Sequence, residues 1–350
     1  MSFPKYQWQP STEEIARAAG LEPGQVERFD HNTSPFPTDW ALDLVGRRSR
    51  NLNEYPDAGY ATLREAIAQV TGLDPDQIAP GAGADELILL AARAFLAPGQ
   101  KAVTVTPTYP LYEIATAQVH GKVVGIEASP PDFEFPADEV ITAARDAEVV
   151  WLCAPSNPIG NRPGDDVIAA VMAATDGIVV LDAAYAEFAG DDWAPWANRH
   201  HNLLVLHTMS KAYGLAGARV GYALGHPGLI AEIDGVRPPG SIASLSVDLA
   251  IAALEMPDRM RNVVTSTTDE RIRLAGLFED LGLRVLPGAT NFLLCEVGPQ
   301  ARRVAEALME EGLVPRTYSE DGPLASYLRF TVRSPQADDR LVSALGRSLR

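Results

Sequence analysis

The chain has 350 residues, with 29 Lys and Arg against 46 Asp and Glu, a formal net charge of −17, and 46% apolar residues. That length holds one large domain, a smaller second one and a sizeable core. So acidic a surface argues against nucleic acid and against anionic membranes as partners. The opening stretch "MSFPKYQWQPSTEE" carries no apolar leader, and no apolar run nears the ~20 residues of a membrane helix, so the expected location is the cytoplasm.

In chain order, "STEEIARAAG" reads as a short helix capped by Ser11, with Glu14 completing a capping box and Gly20 ending it. Residues 1–28 are expected to form an N-terminal arm packed on a small domain. "YATLREAIAQVTG" and "DELILLAARAFLAPG" read as helices. Strands "KAVTVTP", "GKVVGIEA", "EVVWLCAP", "IVVLDAAYAEF" and "HNLLVLHTMS" then alternate with helices "YPLYEIATAQVHG", "ADEVITAARDA" and "GDDVIAAVMAATDG". Short β-branched runs separated by helices predict an α/β fold with a mostly parallel sheet sandwiched by helices, spanning 29–238. From 239 to 350 the pattern changes to a smaller α+β domain. It opens on one long helical stretch from "VDLAIAALE" through "RIRLAGLFEDLG". The two cysteines, Cys153 and Cys295, sit in apolar runs and read as buried structural thiols, with no disulfide or zinc spacing.

In parallel sheets the ligand sits at the carboxyl ends of the strands. Those ends carry Tyr109 after "KAVTVTP", Asn157 in "APSNPIG", Asp182 and Tyr185 after "IVVL", and Ser210 and Lys211 after "LLVLH". Singly, each has a structural reading: Asn-Pro starts turns, and an Asp after a strand caps helices or sits in a solvated loop. In "GAGADE", the small residues Gly81, Gly83 and Ala84, with Asp85, open a helix whose free N–H groups suit a phosphate. No Lys-Ser/Thr pair follows, so this is not a nucleotide P-loop, and no G-x-G-x-x-G follows the first strand. Together the residues meet the demands of a pyridine-type cofactor: an anion site, an aromatic face, an acid for the ring nitrogen, donors for a phenolic oxygen, and an amine.

The block Ser210-Lys211-x-x-x-x-x-Gly217-x-Arg219 in "SKAYGLAGARVGYA", with "NEYPDAGYATLREAIA" and "YLRFTV", resembles the fold-type-I pyridoxal-phosphate enzymes of the class I/II aminotransferase family. The histidinol-phosphate aminotransferase branch is the most similar. The resemblance implies a covalent cofactor link and proton transfer for Lys211, an ion pair with the ring nitrogen for Asp182, and ring stacking for Tyr109. It implies hydrogen bonds to the phenolic oxygen from Asn157 and Tyr185, and a phosphate cradle of Gly83, Ala84, Asp85, Ser210 and Arg219. Tyr55 would reach the cofactor phosphate of a partner subunit, which implies a homodimer with shared sites. Arg329 would take the substrate's carboxylate or equivalent anion, with Asn157 beside it. Arg316 is either a surface residue or a second anion site, and Arg333 is a further candidate.

Small-molecule amino donors and 2-oxo acids are the expected partners, with glutamate and 2-oxoglutarate as one pair and histidinol phosphate or an aromatic amino acid as the other substrate. The chain departs from the family pattern at Ala183, at "FDHNTSPFP" and at "RPPGSIAS". The last two segments border the substrate pocket. "IARAAGLEPGQVERFDHNTSPFP" and "YLRFTVRSPQADDRL" also resemble the threonine-phosphate decarboxylases of this branch. Decarboxylation of a phosphorylated amino acid is therefore the alternative to transamination.

Overall fold

The computed structural model describes residues 4–350. Its strands are β1 (Glu27–Arg28), β2 (Ile78–Gly81), β3 (Lys101–Thr106), β4 (Lys122–Glu127), β5 (Val149–Cys153), β6 (Ile178–Asp182), β7 (Leu203–Thr208), β8 (Gly221–Gly225), β9 (Arg284–Val285), β10 (Phe292–Glu296), β11 (Leu313–Val314) and β12 (Tyr327–Thr331). A seven-stranded sheet runs in the order β2-β8-β7-β6-β5-β3-β4. The pairs from β4 through β7 are parallel, and β8 runs antiparallel to both β7 and β2. The expected α/β architecture is present, with β8 as the one reversed strand of this sheet. A second sheet, β12-β10-β9, is antiparallel, and β1 pairs with β11 in parallel.

Both faces of the large sheet are covered, which explains the nearly continuous apolar strands. Val179, Leu181, Leu203 and Val205 pack into one core, while Val180, Leu204 and Leu206 face the other. The helix Gly83–Phe95 closes the second face, burying Leu87, Ile88, Leu90 and Ala91 at helical spacing. Each such leucine contributes about 1.5–3 kcal/mol at most. At the N-terminus, Ser11 and Glu14 make the expected capping box, and Gly20 ends the helix at φ 68°. That helix, Thr12–Ala19, packs on the helix Ala301–Glu310. Among the described residues no helix is long and apolar enough to cross a membrane.

Three expectations are corrected. The strand expected over "IVVLDAAYAEF" stops at Asp182, and Ala186–Ala189 is helical. Asp182 turns the chain there by accepting the Ala184 N–H on Oδ1 at 3.1 Å. The long helical stretch is two helices, Ser244–Leu254 and Pro257–Asp280, because Pro257 lacks the N–H that would continue the first and instead starts the second. The strands β2 and β8 lie where no strand was expected. β2 contains Pro80, which an edge strand tolerates.

The helix Pro335–Ser348 buries Asp338 completely, beside Glu270 of the helix Pro257–Asp280. Asp338 accepts the Arg333 N–H at 3.2 Å, and Glu270 is paired with Arg273 at 2.6 Å. Burial, then a hydrogen bond shared with Glu270, pushes the Asp338 carboxyl up to about 8. The folded chain therefore keeps a proton that the unfolded chain releases above about 3.8. Stability is fully present below that pH and falls as pH rises towards about 8. Asp338→Asn keeps a donor towards Glu270 at every pH. Urea midpoints of the variant should be flatter across this window than those of the parent; parallel curves would mean that Asp338 is already ionised in the fold.

Candidate active site

The carboxyl ends of β5, β6 and β7 open into a cavity of about 610 Å³. Lys211 follows β7 on its wall, and its Nζ donates to the carbonyls of Asn32 (3.0 Å) and His31 (3.5 Å). Desolvation, then the nearby Arg329 charge, lowers the amine to about 8 despite the opposing pull of Asp85. Asp182 ends β6 and is buried, lining the same cavity. Desolvation raises its carboxyl, while hydrogen bonds from Tyr112 and from the Ala184 N–H hold it down.

The anion corner is built where the helix Gly83–Phe95 begins. Ala84 and Asp85 line the cavity there, with Ser210 and Arg219 opposite. Gly83 has φ 81°, and a methyl group on it would meet Arg219 Nη2 at 2.7 Å. Gly221 of β8 has no room either: a Cβ would sit 2.7 Å from the His207 carbonyl oxygen and 2.9 Å from the Gly83 carbonyl carbon. The sheet therefore presses directly on the helix start, and the guanidinium rests over its first turn. Arg219 Nη2 pairs with Asp85 Oδ2 at 2.8 Å, and Nη1 donates to Ser210 Oγ at 3.3 Å. Both ionic partners are about half exposed (46% and 48%), so this pair braces geometry rather than stability. Tyr109 donates its hydroxyl to Asp85 Oδ1 at 2.9 Å, which fixes its ring at the cavity wall.

Asn157 follows β5, and its Oδ1 accepts from Arg329 Nη1. Its amide NH₂ stays available for a ligand. Tyr185 is buried edge-on against Phe292 (centroids 5.3 Å apart), and its oxygen accepts from Asn32 Nδ2 at 2.8 Å, leaving its proton to donate. Arg329 of β12 is 6% exposed. Its Nη2 donates to the Asp30 carbonyl at 2.7 Å, and its guanidinium lies 5.0 Å from the Phe292 centroid. Among the described residues its Nε has no hydrogen-bond partner. Arg316 exchanges backbone hydrogen bonds with Arg329, lines the cavity and lies 5.8 Å from the Tyr6 ring.

Most of the expected site residues thus line one cavity. Gly83 stands just behind the wall, under Arg219, and Tyr55 is 96% exposed, away from it. Arg333 turns to Glu27 (3.8 Å) and Thr33 and is not on the wall. Asn32 and Tyr6 are wall residues not singled out from the sequence, although Asn32 lies in "FDHNTSPFP", a segment expected to border the pocket. Asn32, at φ 53°, touches Lys211, Tyr185, Asn291 and Thr331 at once. Tyr6 of the N-terminal arm reaches Tyr109, with ring centroids 6.5 Å apart. An asparagine amid irregular chain, a residue type that tolerates φ > 0, was the available signal for the first.

A lysine of lowered basicity opposite a buried acid, with an anion corner beside them, defines a cofactor-dependent enzyme that works on amines or carbonyls. The chain belongs to the family "Aminotransferase class I and II", whose model matches residues 25–345. It is 32% identical over 336 residues to the histidinol-phosphate aminotransferase of Ruminiclostridium cellulolyticum, covering 93% of each chain. A crystal structure of histidinol-phosphate aminotransferase from Sinorhizobium meliloti in complex with pyridoxal-5'-phosphate superposes with a TM-score of 0.89 at 29% identity, over 98% of this chain and 95% of that one. The L-threonine-O-3-phosphate decarboxylase of Porphyromonas gingivalis shares the fold, with a TM-score of 0.76 at 22% identity, over 91% of this chain and 100% of that one.

Proposed function

We propose that this chain transfers an amino group between a phosphate-bearing amino substrate of the histidinol-phosphate type and 2-oxoglutarate, in a ping-pong cycle run by a homodimer. As a member of its family it is a transaminase, and its cofactor is pyridoxal phosphate. The donor set fits that group: an anion corner, a buried acid and an amine face one cavity of about 610 Å³. When bound, the cofactor supplies an electron sink for the carbanion at the substrate's amino-bearing carbon.

The chain's own residues do the rest. Arg219, Ser210 and the N–H groups at Ala84 and Asp85 hold the phosphate. Asp182 pairs with the ring nitrogen. Asn157 and Tyr185 donate to the phenolic oxygen, since each has its other group already engaged. Lys211 Nζ would be the amine that holds the cofactor's carbonyl carbon, with water as the leaving group, and would take up and return the proton at the substrate carbon. Tyr109 covers the ring. Arg329, with Arg316 beside it, takes the substrate's anionic end. Tyr55, 96% exposed, belongs to the neighbouring subunit's phosphate site.

The observation that carries the substrate class is the adjacency of Arg316 and Arg329 on one wall, with Arg329 Nε unpaired among the described residues. The test is an absorption spectrum of the loaded protein. L-glutamate should bleach the lysine-bound band, and 2-oxoglutarate should restore it. Histidinol phosphate should bleach it at lower concentration than histidinol does. Release of CO₂ from threonine phosphate, with no response to glutamate, would overturn transamination in favour of decarboxylation.

A further inference from the structure

Asp182 carries a second contact that the cofactor roles above do not use. Its Oδ2 accepts the Tyr112 hydroxyl at 2.6 Å, the length of a charge-assisted O–H···O⁻ bond. Tyr112 is 1% exposed and does not line the cavity; its hydroxyl reaches the site through Asp182, with the wall residue Cys153 as a further neighbour. The ring cannot easily move. It stacks on Trp151 with centroids 5.5 Å apart at 12°, and meets Tyr109 edge-on at 6.0 Å. Trp151 is itself pinned by Nε1 donating to Thr116 Oγ1 at 3.2 Å. Tyr109 and Tyr112 straddle the start of the helix Leu111–Gln118, so one turn of chain places one ring on the cavity wall and the other behind the acid.

We propose that Tyr112 is a positioning residue: its hydroxyl aims the Asp182 carboxylate at the ring nitrogen and keeps the shared proton on that nitrogen. This rests on Asp182 facing the ring nitrogen, as proposed above. The physical reason is competition for one carboxylate. In a desolvated site a carboxylate without donors is a strong base and would draw the ring proton to itself as a neutral acid. A short hydrogen bond to Oδ2 stabilises the ionised form and makes Oδ1 a weaker base. The proton then stays on nitrogen, and the ring keeps its positive charge. The Ala184 N–H supports the same state from the backbone. Tyr112→Phe keeps the stacked ring and removes only the donor.

The decisive measurement is the ¹⁵N resonance of the ring nitrogen in protein loaded with ¹⁵N-labelled pyridoxal phosphate. In Tyr112→Phe it should move towards the unprotonated pyridine position. The turnover number should fall about 10- to 100-fold, as for loss of one hydrogen bond to a charged group, with the substrate KM little changed. Site-specific 3-fluorotyrosine at position 112, a stronger donor, should move the resonance the opposite way; this decides the matter if the phenylalanine variant folds poorly. Asp182→Asn is the control. If Asp182→Asn moves the resonance and neither change at 112 does, Tyr112 is merely structural. If Asp182→Asn leaves it unmoved, the assignment of Asp182 itself is wrong.

Discussion

Lys211→Ala should lower transamination by about 10⁴-fold or more, the scale of losing a positioned acid–base group together with a nucleophile. Noncovalent cofactor should still bind, because the anion corner of Arg219, Ser210 and the helix start is untouched. Lys211→Arg should be equally inactive, since an arginine keeps the charge but never frees a lone pair at working pH. The cavity wall also carries Lys5, so retained activity in Lys211→Ala would move the chemistry to that residue. The lowered amine adds a pH signature. A group at about 8 instead of 10.5 is half deprotonated two to three pH units earlier. The rate of covalent cofactor attachment to the apoprotein should therefore rise with a midpoint near 8. Stopped-flow absorbance measures it directly, and a rise that continues to pH 10 would contradict the role given to desolvation.

Arg329→Ala should cut kcat/KM for the anionic substrate by roughly 10²–10³-fold, the effect of removing one partner of a buried, hydrogen-bonded ion pair. Most of the change should fall on KM. Two further contacts go with the side chain, to Asn157 Oδ1 and to the Asp30 carbonyl, so the thermal midpoint should drop as well. Arg329→Lys separates the effects. It restores a charge but not the planar fork that spans Asn157 and the Asp30 carbonyl, so stability should recover in part while KM stays high. Steady-state kinetics of both variants, with Arg316→Ala in parallel, assigns the anion. An unchanged KM in Arg329→Ala with a raised one in Arg316→Ala would place it at Arg316.

The large sheet and the residues at its strand ends were legible because two simple regularities coincide there. Buried parallel strands are short apolar runs, and their carboxyl ends face the ligand. Asn157, Asp182, Ser210 and Lys211 all lie at, or within four residues beyond, the end of such a run. The break at Pro257 was passed over in favour of one long helix, although a proline at a first helical position is the signal of a boundary. β2 was hidden by its own Pro80, which argues against a strand unless the strand is known to be an edge. Asn32, Tyr6 and Tyr112 were hidden for another reason. Their partners lie far away in sequence: Asn32 to Tyr185 spans 153 residues and Tyr112 to Asp182 spans 70. No local period encodes such contacts.

The strip from Glu27 to Thr33 has a mechanical consequence. Its backbone is stitched to β11 and β12 through Glu27 N–H to Gly312 O, Phe29 N–H to Val314 O, and Thr331 N–H to Phe29 O. Its links to the large layer are side-chain hydrogen bonds, Lys211 to the carbonyls of His31 and Asn32 and Asn32 to Tyr185. Asn32 is therefore a joint between the two layers: its carbonyl holds Lys211 while its side chain holds Tyr185 and Thr331, so a substitution there loosens the reacting amine and the small sheet together.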